Sequence, residues 1–365
     1  MNILIDAFGG DHAPLEVIQG AVRAVQELGV TVTLVGAENQ IRQCAEEHHL
    51  SLDGLQILHA LAVFDIHEEP STLLKQHADS SMAVGMQALH DGNGDAFVSA
   101  GSTGALLMGA TFLVKRIRGV KRAALAPILP TATTPFMLLD AGANNDCRPE
   151  MLVQFAVMGS AYMERVMGIP QPKVKLLNVG AEETKGRELD LEAYRLLEQA
   201  PVHFCGNVEA RELPFGVADV VVADGFTGNI ALKLYEGMGK FMGSQLKENI
   251  FAGANGKLSA LLVLPKIKAL TKKMDYKAVG GAMMLGVQKP VVKAHGSSDA
   301  TAFFNAIRQA RDCVAGDLAD YFWTRQCFFT FVGLAVLAAV YIVDYTILGR
   351  YPLLLWFGYF VVIFI

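Results

Sequence analysis

The chain has 365 residues, a length that is enough for one large α/β domain or two lobes. Its residues are 52% hydrophobic and 18% charged. A formal net charge of −5 argues against a general nucleic-acid binder, which would need a basic face. The five cysteines occur singly, without a C-x-x-C pair, so neither a zinc ribbon nor a redox motif is supported and a reducing compartment is expected. The first residues, MNILIDAFGGDHAP, lack the basic start and the long apolar run of a signal peptide.

Short apolar runs alternate with helix-length segments from residue 1 to about 315. The predicted helices include 14–28, 38–49 and 151–168. Continuous apolar strands between such helices indicate an α/β protein with a mostly parallel sheet that is covered on both faces. The predicted strands are 2–7, 31–36, 55–60, 95–100, 135–141, 174–180, 202–207, 219–224 and 290–294.

The composition changes twice near the carboxyl terminus. Residues 257–277 combine many lysines with a Leu/Ile/Val stripe, which fits a membrane-surface helix, a dock for an acidic protein or an ordinary exposed helix packed on the body. Residues 318–365 form a hydrophobic tail, in which 327–349 has the length of a bilayer crossing, roughly 20 residues. We therefore expect a domain over 1–317 and a membrane anchor after it. The alternative is a frame change in the coding sequence, in which case the tail would not belong to the natural protein.

Four glycine-rich loops follow predicted strands, at residues 6–14, 99–105, 223–229 and 294–300. Helix N-termini at the carboxyl ends of parallel strands present unpaired N–H groups, which suit phosphate or an oxyanion. The alternative for each loop is a plain turn with a helix cap. No loop matches the Walker motif or G-x-G-x-x-G, which disfavours a Walker ATPase or an ordinary dinucleotide enzyme. The predicted substrate-binding residues here are Gly101, Ser102, Thr103, Gly104, Gly225, Thr227, Gly228, Asn229, Ser297 and Ser298.

Further polar residues stand where predicted strands end. Asn178 and Asn207 are added to the predicted substrate-binding set. His295 directly follows a strand and is either a structural hydrogen-bonding group or a site residue. For Lys185 the alternative is a solvated charge, and for Asp224 it is a helix cap.

Ordered sequence blocks resemble one family. DAFGGDHAP, SAGSTGAL, NVGAEETKG, DVVVADGFTGNIALK and KAHGSSDATAFFNAI are similar to blocks of the bacterial acyl-[acyl-carrier-protein]:phosphate acyltransferases, over residues 1 to about 312. The resemblance implies a three-layer α/β/α fold like that of phosphotransacetylases and the isocitrate dehydrogenase group, in a homodimer. It implies that acyl carrier protein and inorganic phosphate are the substrate partners, and that no metal or other cofactor is needed. The acyl phosphate formed would serve glycerol-3-phosphate acyltransferase in phospholipid synthesis, at the cytoplasmic face of the membrane.

The chain departs from the family pattern at three places. Ser102 stands where the family usually has Asn, and Ala181 stands where Glu is usual. The tail 318–365 has no counterpart in the resemblance.

The implied chemistry sets the expected roles. Phosphate is already an anionic nucleophile and a thiolate leaves readily, so the protein must position phosphate and stabilise an oxyanion. Residues 101–104 and 224–229 would form two backbone cups, Lys185 and His295 would supply positive charge or a proton, and Asp224 would orient one of them or cap a helix. Two alternatives remain: a phosphotransacetylase that uses acyl-CoA, and a non-catalytic membrane scaffold that binds acyl carrier protein.

Overall fold

The computed structural model describes residues 1–250 and 280–317. The basic segment 257–277 and the tail 318–365 lie outside the described residues, so the functions predicted for them stay predictions. Within the described ranges, no helix is long and apolar enough to cross a bilayer.

Twelve strands are present in the described part of the chain and divide between two sheets. The larger sheet has the strand order β3-β2-β1-β4-β12-β11-β5, and the smaller sheet has the order β6-β7-β10-β8-β9. The strands are β1 Asn2–Asp6, β2 Thr31–Gly36, β3 Leu55–His59, β4 Ala96–Ser99, β5 Ala124–Ala126, β6 Ile128–Leu129, β7 Phe136–Leu139, β8 Lys173–Asn178, β9 His203–Glu209, β10 Val220–Val222, β11 Ala282–Leu285 and β12 Val291–Lys293.

Helices connect most of the parallel strands, as crossover connections require. Two short 3-10 helices cover Pro70–Leu74 and Ala210–Phe215, and a π-helical stretch, Ala110–Lys115, continues α4. The α-helices are α1 Leu15–Leu28, α2 Glu38–Glu47, α3 Ser81–His90, α4 Thr103–Gly109, α5 Pro149–Arg165, α6 Glu188–Glu198, α7 Gly225–Ile250 and α8 Ala300–Ala315.

Parallel pairing dominates both sheets. β11 is antiparallel to β12 and to β5, β6 is antiparallel to β7, and the other neighbouring pairs are parallel. The segment from β5 to β6 passes from one sheet to the other, with only Pro127 between its two strands. The predicted α/β class is therefore confirmed, and all nine predicted strands are present. The sequence predicted one mostly parallel sheet and did not predict β5, β6 or β11, because β5 and β6 are only three and two residues long and strand pairing depends on segments distant in sequence.

The core of the larger sheet shows why its strands read as continuous apolar runs. Phe97 in the middle of β4 is fully buried and faces α3, where a Cβ added at Gly85 would lie 2.3 Å from the Phe97 ring. Burial on both faces selects for apolar residues at every strand position.

Replacing Phe97 with Ala removes a buried ring that the surrounding structure cannot fill. We expect the free energy of unfolding to fall by about 3–5 kcal/mol, measured by urea denaturation. Leu61→Ala is the control, since Leu61 is 76% exposed and its loss should change stability little. Equal effects of the two changes would contradict this account of the core.

Candidate functional site

Two sets of adjacent strand ends carry the polar residues that the sequence singles out. In the larger sheet β1, β4 and β12 are neighbours, so the loops 6–14, 99–105 and 294–300 leave the same edge side by side. In the smaller sheet β7, β10 and β8 are neighbours, which brings together the loops that follow Leu139, Val222 and Asn178. Both are the sheet edges at which α/β proteins bind ligands.

Charged residues of helix α7, which follows a strand of the smaller sheet, interact with His295 in the larger sheet's loops. It begins at Gly225, just after β10 of the smaller sheet, and Lys233 and Glu236 on its third and fourth turns act on His295 beyond β12 of the larger sheet. Burial lowers the pKa of His295, Glu236 raises it in part, and neighbouring lysines lower it further. His295 is therefore neutral at neutral pH.

The proton position on His295 follows from its own loop. The backbone N–H of Ser297 donates to Nδ1 of His295 at 3.2 Å, and the Ser297 hydroxyl lies 2.9 Å from the same nitrogen. A neutral imidazole that accepts at Nδ1 carries its proton on Nε2. The Nε2–H of His295 is therefore a hydrogen-bond donor.

Asp6, the last residue of β1, holds the larger sheet's loops in place by hydrogen bonds. Its buried carboxylate accepts hydrogen bonds from the hydroxyls of Ser81 at 2.6 Å and Ser99 at 2.7 Å, and from the backbone N–H of Phe8 at 3.3 Å. Burial raises the pKa of Asp6, and these hydrogen bonds partly oppose that rise. A Cβ at Gly9 would lie 2.8 Å from the carboxylate, so only glycine allows the loop this close.

The GSTG loop is capped by its own serine. Ser102 is buried, and its hydroxyl accepts from the N–H of Ala105 at 3.4 Å as the N-cap of α4. Ser99 Oγ accepts from the N–H of Gly101 at 3.0 Å. Within residues 1–250 and 280–317, no acceptor contacts the backbone N–H groups of Ser102, Thr103 and Gly104. Because Ser102 caps the helix, the shorter side chain at this position has a structural use of its own.

Asp224 caps α7 and is held by an arginine. Its carboxylate accepts from the N–H of Thr227 at 2.9 Å and from the Thr227 hydroxyl at 2.8 Å, and the guanidinium of Arg187 donates to it as well. The same guanidinium forms a two-bond pair with Asp190, at 2.9 Å for each bond. Burial would raise the pKa of Asp224, but the hydrogen bonds from Arg187 and Thr227 outweigh burial and leave that pKa lowered.

Asp140 orders the loop that follows β7 of the smaller sheet by accepting hydrogen bonds from its backbone. Its fully buried carboxylate accepts from the N–H groups of Leu125, Gly142, Ala143 and Asn144 at 2.6–3.3 Å. The carbonyl of Asn144 in turn accepts the N–H of Gly225 at 2.7 Å. The first turn of α7 therefore rests directly on the loop that Asp140 orders.

The glycines of the DGFTGN loop serve this close packing. A Cβ at Gly228 would lie 1.9 Å from the carbonyl oxygen of Asp140. The N–H groups of Gly225, Thr227 and Gly228 donate to Asn144, to the Asp224 carboxylate and to the Asp224 carbonyl, respectively. These three N–H groups are occupied within the chain, so the cup predicted here has fewer unpaired donors than the GSTG loop. Asn229 is exposed and lies beside Gly142.

Asn178, Asn207 and Lys185 belong to one structured loop beyond β8. Nδ2 of Asn178 donates to the carbonyl of Lys185 at 3.0 Å, and Nδ2 of Asn207 donates to the carbonyl of Glu182 at 2.8 Å. The carbonyl oxygen of the Asn207 side chain is buried and has no hydrogen-bond partner within the described residues. Both asparagines thus shape the loop, which leaves Lys185 exposed at its tip. Ala181 is exposed on the same loop.

Four charged residues that organise these loops are absent from the predicted site residues: Asp6, Asp140, Arg187 and Lys293. The two aspartates share a sequence signal with the predicted Asp224, since ILID, MLLD and VVAD each end a buried strand with Asp. Arg187 follows the NVGAEETKG block directly, but nothing in the sequence shows that it reaches Asp224, 37 positions away. Ser298 of the predicted set is buried, and its N–H donates to the carbonyl of His295 at 3.0 Å.

Comparisons with known proteins agree with this architecture. Residues 1–320 match the family described as fatty acid synthesis protein. A phosphate acyltransferase of Geobacillus sp. (strain WCH70) is 48% identical over 320 residues, which cover 87% of this chain and 96% of the relative. That of Thermoanaerobacterium thermosaccharolyticum is 45% identical over 321 residues, 88% of this chain and 95% of the relative.

Solved structures share the fold at low sequence identity. A phosphotransacetylase from Streptococcus pyogenes superposes with a TM-score of 0.59 at 16% identity, over 86% of this chain and 94% of that one. The EutD phosphotransacetylase from Staphylococcus aureus gives a TM-score of 0.57 at 18% identity, over the same shares of the two chains. The predicted similarity to the phosphotransacetylase fold is confirmed.

Arg187→Met tests the electrostatic support of Asp224. The carboxylate's lowered pKa contributes stability at pH values above the unfolded value of about 3.9, and this contribution is lost as pH falls through the folded pKa. Without Arg187 the folded pKa rises, so we expect acid unfolding at higher pH. We also expect a free energy of unfolding about 1–2 kcal/mol lower at neutral pH, since the Arg187 side chain is 55% exposed and partly screened by solvent.

The measurement is a circular dichroism titration with pH, together with urea denaturation at neutral pH. Arg195→Met is the matched control, because Arg195 is an exposed arginine on α6. An acid midpoint that is the same for both variants would contradict the role of Arg187.

Proposed function

We propose that this chain, which belongs to the fatty acid synthesis protein family, transfers an acyl group from acyl carrier protein to inorganic phosphate. The relatives reported above are phosphate acyltransferases. The products are acyl phosphate and free carrier protein. The family match over residues 1–320 carries this proposal, since it spans the loops that form the site.

The geometry supports a reaction without a covalent enzyme intermediate. A phosphate oxygen attacks the thioester carbonyl, the carbon–sulfur bond breaks, and the thiolate takes up a proton. The protein must hold the two reactants together and stabilise the developing oxyanion. The three unpaired N–H groups at residues 102–104 and the Nε2–H of His295 are donors suited to that task.

The other predicted residues have supporting positions. Exposed Lys185 can approach a ligand from the smaller sheet's side, on a loop that Asn178 and Asn207 hold. Asp224 orders the start of α7 and with it Thr227 and Asn229. The proposed substrate-binding surface therefore comprises the loops 99–105 and 294–300 and the residues 178–185, 207 and 224–229.

The deciding experiment incubates the purified chain with long-chain acyl carrier protein and labelled phosphate, and detects acyl phosphate. We expect phosphate-dependent product, and a fall of about 10²–10³ in kcat for His295→Ala if it stabilises the transition state. Lys185→Ala should also lower turnover. Near wild-type turnover of either variant would remove that residue from the mechanism.

The same assay separates the two alternatives. Faster turnover with acyl-CoA than with acyl carrier protein would identify a phosphotransacetylase-type enzyme. No phosphate-dependent product with either donor would leave the non-catalytic scaffold as the explanation.

An apolar stripe on α7 supports the proposed homodimer. Phe226, Ile230, Leu234, Met238 and Phe241 recur at helical spacing and are each about half exposed. Large side chains in one exposed row mark a contact surface on a protein or a membrane. We propose that a second copy of the chain covers this stripe, and that the segment 257–277 contacts the membrane where glycerol-3-phosphate acyltransferase receives the product.

Introducing lysines into the apolar stripe of α7 tests whether the stripe forms the dimer interface. We expect Leu234→Lys combined with Met238→Lys to give monomers in sedimentation velocity, because two lysines cannot be buried unpaired in an interface. Leu61→Lys is the control, as this exposed leucine lies outside the stripe. A dimer that survives the double change places the interface elsewhere.

A further inference from the structure

We propose that the ammonium group of Lys293 binds the inorganic phosphate, at the junction of the glycine loops 6–14, 99–105 and 294–300. Lys293 is the last residue of β12 and pairs in register with Ser99, the last residue of β4. This inference rests on the proposed function and names the residue that recognises the phosphate.

The position of Lys293 follows from the sheet order. β12 lies beside β4, and β4 lies beside β1, so their carboxyl ends meet at one point of the sheet edge. The N–H of Asp11 donates to the carbonyl of Gly296 at 2.8 Å, which joins the first of the three loops to the third. Lys293 lies at this junction.

The hydrogen bonds of Lys293 leave one donor for a ligand. Its Nζ donates to the carbonyl of Ala100 at 3.3 Å and to the carbonyl of Ala294. An ammonium group has three N–H bonds, and these are its two acceptors within the described residues. The third N–H is available at the edge where the unpaired N–H groups of Ser102, Thr103 and Gly104 also lie.

The charges around Lys293 favour an anion. Asp6 and Asp11 attract the ammonium, but Asp6 already accepts hydrogen bonds from Ser81, Ser99 and the backbone. Lys233 on α7 repels it. A bound anion beside Lys293 would stabilise its ammonium group against this repulsion.

Within the described residues neither Asp6 nor Asp11 forms an ion pair or hydrogen bond with Lys293, whose acceptors are the two backbone carbonyls. Glu236 pairs with Lys233 at 3.0 Å, and His295 is neutral at neutral pH because burial and the nearby lysines lower its pKa. Lys240 on α7 adds a further positive charge near His295. A phosphate dianion fits this arrangement in charge and in the hydrogen-bond donors that it requires.

The titration of Lys293 gives the proposal a distinctive signature. Burial, followed by repulsion from Lys233, lowers the pKa of its ammonium group to about 8. The group is charged below that pH and neutral above it. Phosphate binding should therefore weaken as pH rises through about 8, although inorganic phosphate itself remains a dianion there.

The experiment measures phosphate affinity by isothermal titration calorimetry of the full chain, and KM for phosphate in the acyl transfer assay. We expect Lys293→Met to weaken phosphate binding by about tenfold or more without changing KM for acyl carrier protein. Lys289→Met is the matched control, because Lys289 is a half-buried lysine just before β12 whose Nζ also donates to a backbone carbonyl, that of Gly94 at 2.8 Å.

Lys293→Arg separates phosphate binding from a purely structural tie between the loops. Arginine keeps its charge at every pH used, so the loss of affinity near pH 8 should disappear in this variant. Persistence of that loss in Lys293→Arg would overturn the proposal, as would equal phosphate affinity of Lys293→Met and Lys289→Met. If Lys293→Met does not fold, the pH dependence of Lys293→Arg decides alone.

The outcome can be told apart from a failure of the proposed function. Lys293-dependent phosphate binding without acyl phosphate formation would reject the proposed reaction and retain the phosphate site. Acyl phosphate formation with phosphate affinity independent of Lys293 would reject the site and retain the reaction.

Discussion

Buried aspartates at the ends of parallel strands are the constraint on which this site depends. Asp6, Asp140 and Asp224 lie at or just beyond the carboxyl ends of β1, β7 and β10, and each is at most 2% exposed. A buried carboxylate must be hydrogen-bonded or paired, because its desolvation is otherwise too costly. Each carboxylate therefore gathers donors from the loop that follows it and fixes that loop's path.

The desolvation of the three carboxylates is offset by different hydrogen-bond partners. Asp6 uses two serine hydroxyls and backbone N–H groups, and burial raises its pKa despite them. Asp140 relies mainly on backbone N–H groups and on the Asn144 side chain. Asp224 is paired with a guanidinium, so its pKa is lowered instead. Hydrogen bonds to buried carboxylates thus hold the loops, with an ion pair added at Asp224, and these hydrogen bonds are stronger where water is excluded.

The two sheets differ in how many backbone N–H groups of their loops stay unpaired within the described residues. The smaller sheet's loops use most of their N–H groups on each other, as Gly225, Thr227 and Gly228 show. The larger sheet's loops retain unpaired N–H groups at residues 102–104 and a lysine at the strand end. An anion is therefore better accommodated beside the larger sheet, while α7 brings charged residues from the smaller sheet toward it.

The sequence by itself determined the α/β class, the nine apolar strands and the four glycine loops, because these features follow from local composition and from spacing along the chain. Only the tertiary structure decided that the strands form two sheets, that Arg187 reaches Asp224, and that Lys293 reaches Ala100 across 193 positions. Such contacts depend on strand order, and strand order is set by packing between distant segments. Local pattern can therefore place a polar residue at a strand end, but it cannot choose the residue's partner.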